Sequence, residues 1–150
     1  MWETAFDTAQ AFALLGWAAL LLAPRKPFVL AAVLYLGVML LCLAYSVGLI
    51  GIFTGLLDPV GGGTGSVDFT SIEGVRSLFA SDGGVTIGWI HYLAFDLFVG
   101  LWIARDADAK GISRWVQAPI LLLTLFAGPL GLLIWLAVRE RRARASGRWQ

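Results

Sequence analysis

Three side chains able to move protons stand close together in this chain: His91, Tyr92 and Asp96. Asp96 lies in the middle of residues 84–104, an otherwise uncharged and strongly apolar run. If that run crosses a bilayer, the carboxyl sits near mid-depth. A charge there costs about 2.5–3.5 kcal/mol on insertion scales, so it faces protein or water and marks a functional site. At about 100° per residue, Asp96 shares a helix stripe with Trp89, Tyr92, Gly100 and Ile103. His91, the only histidine, falls about 140° from Asp96 on a stripe with Phe95, Phe98 and Trp102. The two do not form a simple dyad on one face, although they could line opposite walls of a wide pocket.

The rest of the inventory narrows the chemistry. One histidine excludes a histidine-rich di-iron centre. One cysteine, Cys42, excludes CxxC redox work and thiolate metal sites. No serine stands in a GxSxG. The glycines at 61–65 lack the Lys-Ser/Thr ending of a phosphate loop and read as linker. Asp106 and Asp108 resemble a metal-binding DxD, but in a charged loop that pattern reads as solvated surface. No metal site and no cofactor is expected. What remains is cofactor-free acid–base chemistry, or binding without chemistry.

The elements that position these residues are membrane spans. Of the 150 residues, 59% are hydrophobic and 14% charged. Mean hydropathy is +0.80, and a soluble domain carries about 25% charged residues. The net charge of +1 offers no field for nucleic acid. The N-terminus begins with Glu3 and Asp7 rather than a basic region, so the first apolar run reads as retained, not as a signal peptide. Apolar runs at about 5–23, 28–57, 84–104 and 115–138 predict a single all-α domain, a bundle of four transmembrane helices. The second run exceeds one span and must tilt, kink or project. Loop 58–83 carries a short helix at 71–81, with Thr70 and Glu73 at capping-box spacing and an amphipathic face suited to the interface. Residues 139–150 form a basic tail. Four spans put both termini on one side, and they leave the basic residues nearly balanced between the two sides.

Sorting the spans by face brings Tyr35, Ser46, Tyr92, Asp96, Gln117 and Thr124 toward one pocket with aromatic walls including Trp89. Gly128 shares the face of Gln117 and Thr124, and Pro129 should kink the last span and free a carbonyl there. On the second span Gly48, Gly51 and Gly55 form a stripe that permits close helix contact, within the bundle or in a homodimer.

Residues 89–106, WIHYLAFDLFVGLWIARD, resemble the abscisic-acid-deficient-4-like family of small membrane proteins. The resemblance extends to Glu73-Gly-Val-Arg-Ser-Leu-Phe79, to Pro119 and to the run Thr124-Leu-Phe-Ala-Gly-Pro-Leu-Gly-Leu-Leu133. It implies an apolar ligand, a carotenoid or related polyisoprenoid, besides the surrounding membrane lipids. Plant members are implicated in converting violaxanthin to neoxanthin, a net isomerisation needing no redox cofactor. By this resemblance Asp96 would supply the acid, with His91 or Tyr92 as second participant. Trp89, Tyr35, Gln117, Thr124 and Gly128 would hold the ligand. The residue usage looks bacterial, which implies a multi-pass protein of a bacterial inner membrane. The alternative is a non-catalytic protein that binds a pigment, a lipid or a partner helix, with Asp96 as a structural hydrogen-bond partner.

Overall fold

Two prolines divide the first apolar stretch from the second. Helix α1 (Trp2–Leu22) ends at Ala23, which is extended because it precedes Pro24. Helix α2 (Pro27–Ala32) then starts with proline at its first position, where no N–H is needed. The computed structural model describes residues 1–62 and 68–146, the side chains of 141–146 excepted. The expected glycine linker at 61–65 and basic tail at 139–150 lie partly outside these residues.

All regular elements among the described residues are helical. From α2 the chain continues through a π-helical stretch, Val33–Val38, into α3 (Met39–Phe53). Together they make one 27-residue apolar helix, about 40 Å long. Gly55, at φ 72°, turns the chain away. The short helix α4 (Ile72–Leu78) is capped by Ser71, whose hydroxyl accepts from the Gly74 amide. Thr70, expected at the cap, instead donates to Asp68. Helix α5 (Asp82–Ala109) is capped in the same way by Ser81 and runs through the centre of the bundle.

Small residues set the packing around α5. Leu97, fully buried, wedges between Gly16 of α1 and Gly37 of the π-helical stretch. Trp17 lies across Gly100, and Ile87 lies against Gly48. Such small-to-large contacts draw helices together where lipid offers no hydrophobic drive between them. Two glycines of the expected stripe have neighbours within the chain: Gly48 meets α5 and Gly51 meets Leu57, while Gly55 lies beyond the helix end.

The fourth apolar run departs from expectation. It is two helices, α6 (Arg114–Phe126) and α7 (Gly128–Ser146), broken at Ala127 with φ −151° and ψ 73°. Among the described residues, only α1, the α2–α3 helix and α5 are long and apolar enough to cross a membrane. At 13 residues, α6 reaches about 20 Å, short of a hydrocarbon core of about 30 Å. The break is sharp enough that Gly131 packs against the backbone of Thr124, two positions about 10 Å apart in a straight helix. Arg114, at the start of α6, donates to the Leu21 and Ala23 carbonyls at the end of α1 (3.0 and 2.9 Å). Arg139 of α7 donates to Asp106 near the end of α5 (2.8 Å). The hairpin thus begins and ends at one end of the bundle, with its tip beside the middle of α5. Trp2 bonds to the Asp58 carbonyl at the other end. The first residues and the outgoing part of α7 therefore lie at opposite ends, where four full spans would have placed them together. The physical cause is the Ala127-Gly128-Pro129 step. Pro129 has no amide hydrogen and cannot continue α6, whereas it suits the first turn of a new helix.

Candidate functional site

The tip of the α6–α7 hairpin meets α5 at Asp96. Gly128 and its amide face the Asp96 carboxyl so closely that a side chain at Gly128 would overlap it. Asp96 is 8% exposed, and its Oδ2 has no hydrogen-bond partner among the described residues. One turn earlier on the same stripe, the Tyr92 hydroxyl also faces Asp96. Tyr92 donates to the Phe126 carbonyl at 3.2 Å. In an unbroken helix that carbonyl would accept from Leu130, whose amide here goes to Ala127. The broken backbone thus presents a carbonyl to Tyr92 and an amide to Asp96. The amide also belongs to a helix N-terminus, a favourable neighbour for a carboxylate.

An aromatic row leads away from this point. The Tyr92 ring stacks on Trp89 with centroids 5.0 Å apart and 14° between planes. Trp89 stacks on Phe6 of α1 at 5.8 Å and 19°. The Trp89 indole N–H donates to Gln10 Oε1 at 2.7 Å, which fixes the ring and joins α1 to α5. All three rings are half-buried. Phe6 and Gln10 were not singled out from the sequence. A lone amide in the first apolar run was the available signal for Gln10.

The other expected site residues separate. His91 stacks on Phe95 and meets Tyr45 on another side of α5. Tyr35 is 56% exposed on the outer face of the second span, and Ser46 turns back to the Cys42 carbonyl. Gln117 is buried, but near the basic end of the bundle, where it donates to Asp108 Oδ1 and the Ile112 carbonyl. Thr124 is buried in the hairpin, donating to the Ile120 carbonyl and touching Gly131. Of the predicted set, Asp96, Tyr92, Trp89 and Gly128 come together, with Thr124 behind the tip.

Two further features frame the site. A largely apolar groove of about 640 Å³ runs between α1 and α3, floored by Ile87 and Ile90 of α5. It lies on the side of α5 away from Asp96. At the basic end, Asp106 pairs with Lys110 (2.7 Å) and Arg139 (2.8 Å), and Asp108 pairs with Arg25 (3.6 Å). These aspartates tie helix ends together rather than standing as free solvated charges. No group of His, Cys, Asp and Glu among the described residues could hold a metal ion.

No curated protein and no solved structure matches the chain. A family profile described as ABA DEFICIENT 4-like matches residues 4–135. The match takes in α1, all of α5 and the hairpin as far as Trp135, and with it every residue that meets at Asp96; the chain belongs to the ABA DEFICIENT 4-like family.

Proposed function

We propose that the protein is a cofactor-free membrane isomerase acting on a carotenoid or related polyisoprenoid, with Asp96 as its acid. The observation that carries this is a buried carboxyl with one oxygen unpartnered among the described residues, set at a helix break and at the end of a half-buried aromatic row. A flat polyene would lie along Phe6, Trp89 and Tyr92 and bring its terminal ring to Asp96. For an epoxide-bearing ring, Asp96 in its neutral form gives its proton to the epoxide oxygen as the C–O bond breaks. The proton lost from the adjacent polyene carbon returns to the carboxyl, leaving an allene and an unchanged protein. Tyr92 orients the carboxyl through its place between Asp96 and Phe126. His91 takes no part in this step.

The protein sits in the membrane with three spans and a re-entrant hairpin. Non-helical backbone at membrane depth is tolerated where protein covers it, and Tyr92 and Asp96 cover it here. Among the basic residues whose side chains are described, Arg76 alone lies at the end near Trp2. Arg25, Lys26, Arg105, Lys110, Arg114 and Arg139 gather at the other. The positive-inside rule makes that end cytoplasmic, in a bacterial inner membrane.

A second reading rests on the contact with Gly128: Asp96 could serve only to hold the N-terminus of α7, in a protein that binds pigment without converting it. Expression in cells that accumulate violaxanthin, followed by chromatography of the pigments, separates the two. The isomerase reading expects a new isomer of the same mass. Pigments identical to those of cells carrying an empty vector would rule out this substrate.

A further inference from the structure

The strongest unassigned feature lies at the basic end, between the end of α1 and the start of α6. A pocket of about 310 Å³ is lined there by Leu21, Arg25, Arg114, Trp115, Ala118 and Leu121. The Arg25 side chain is only 10% exposed, yet its Nε and Nη1 have no hydrogen-bond partner among the described residues. Its nearest carboxylate, Asp108 Oδ2, is 3.6 Å away, beyond hydrogen-bonding range. The other Asp108 oxygen is taken by Gln117. Arg114 is fixed through Nη2 by two carbonyls of the α1 end. The remaining nearby carboxylate, Asp106, is engaged by Lys110 and Arg139.

We propose that this pocket binds a phosphate group, with the headgroup of an anionic membrane lipid as its occupant. Arg25 and Arg114 are close enough to repel, and among the described residues the carboxylate that acts on Arg25, Asp108, lies beyond hydrogen-bonding distance, so the pocket is short of negative charge. A buried arginine with unmade hydrogen bonds is costly, and phosphate oxygens match its fork. Burial lowers the Arg25 pKa, Asp108 opposes that and Arg114 adds to it; a bound anion would relieve the strain on the charged form. Leu21, Ala118 and Leu121 provide an apolar floor for the first carbons of an acyl chain. Trp115, 90% exposed, suits the headgroup layer beside it. Basic pockets between helices on the cytoplasmic side are where anionic headgroups are recognised. The inference rests on the membrane placement of this end and not on any activity at Asp96.

The test is native mass spectrometry of the purified protein with added phosphatidylglycerol or phosphatidylcholine of identical chains. Wild type should retain phosphatidylglycerol roughly tenfold better: both lipids carry the phosphate, but the choline cation cancels the charge that Arg25 and Arg114 read. Arg25→Met should abolish the preference while melting no lower than wild type in lipid-free detergent. Arg25→Lys, which keeps charge but not the fork, should fall between. Arg105→Gln removes an exposed charge at the same end and should change nothing. Millimolar inorganic phosphate separates the two sources: displacement of the lipid means the phosphate alone is read, and no displacement means the acyl chains are also required. Equal retention of both lipids by wild type overturns the proposal, even if Arg25→Met does not fold. So does an equal loss in Arg105→Gln and Arg25→Met, which would indicate surface charge rather than a pocket.

Discussion

Asp96 is stable at mid-depth because the structure gives it polar neighbours that a continuous helix bundle would lack. The Tyr92 hydroxyl comes from the same helix, but the Gly128 amide, and the Phe126 carbonyl that holds Tyr92, are available there only because the chain breaks at Ala127. Gly128→Ala should therefore disturb the site from outside α5. Its methyl would overlap the carboxyl, and the overpacking should destabilise by about 1–3 kcal/mol, read as a lower melting temperature in detergent. Tyr92→Phe leaves the Phe126 carbonyl unpaired and should cost a similar amount, about 1–3 kcal/mol. Much of this neighbourhood was legible beforehand, since Trp89, Tyr92 and Asp96 fall on one stripe by counting residues. Gln117 was misplaced for a simple reason: azimuth alone does not give depth, and it lies seven residues, about 10 Å of helix, from Thr124. Tyr35 was misplaced because its whole stripe, with Met39, Cys42 and Ser46, turns outward. Periodicity groups residues into faces but, in a span apolar all round, does not say which face meets protein.

At the level of helices, the decisive contacts are single large side chains set on glycines. Leu97 touches both Gly16 and Gly37, so Leu97→Ala should loosen α1 and the second span together. A loss of about 2–5 kcal/mol is expected for a fully buried leucine, checked by thermal or denaturant unfolding in detergent. The connection before α5 has its own determinant. Asp68 accepts from the Thr70 hydroxyl and amide and from the Ser71 hydroxyl, and Ser71 in turn caps α4. The Ser71 bond first, and the Thr70 bonds next, lower the Asp68 pKa to about 2. A carboxylate held below its unfolded value of about 3.9 contributes its stability above that pH. The contribution is lost as pH falls from about 4 toward 2. Protection of the Gly74 amide, its exchange slowed relative to the intrinsic rate at each pH, should accordingly hold above pH 4 and fall below it, and Asp68→Asn should abolish that pH dependence. The existence of the long helices was legible from hydropathy, whereas α5 runs past the expected 84–104 to Ala109. The cap was misjudged by one residue because Thr70 and Ser71 offer the same chemistry, and only the turn around Asp68 decides between them.

Over the whole molecule, the hairpin changes what the sequence predicts about topology. Hydropathy measures how long an apolar run is, not whether it turns back, so 115–138 reads as one span. Folding it back carries Arg139 to the end that holds Arg25 and Arg114 and replaces a near tie in basic residues with a clear bias. A labelling experiment reads this directly. In a Cys42→Ser background, Glu3→Cys and Ser146→Cys should react with a membrane-impermeant maleimide from opposite sides of sealed cells: the first from outside, the second only after lysis. Labelling of both from the same side would restore four full spans.

The account turns on whether the Asp96 carboxyl performs chemistry or only secures the hairpin. Asp96→Asn keeps shape and hydrogen-bonding capacity but cannot supply the acid proton. The most direct measurement is conversion of a carotenoid epoxide and melting temperature on one preparation of wild type and Asp96→Asn. If Asp96 is the acid, the variant should melt within a few degrees of wild type and its conversion should fall at least a hundredfold, the low end for general acid–base catalysis at roughly 10²–10⁴. A variant that melts far lower yet still converts substrate for as long as it stays folded would contradict it.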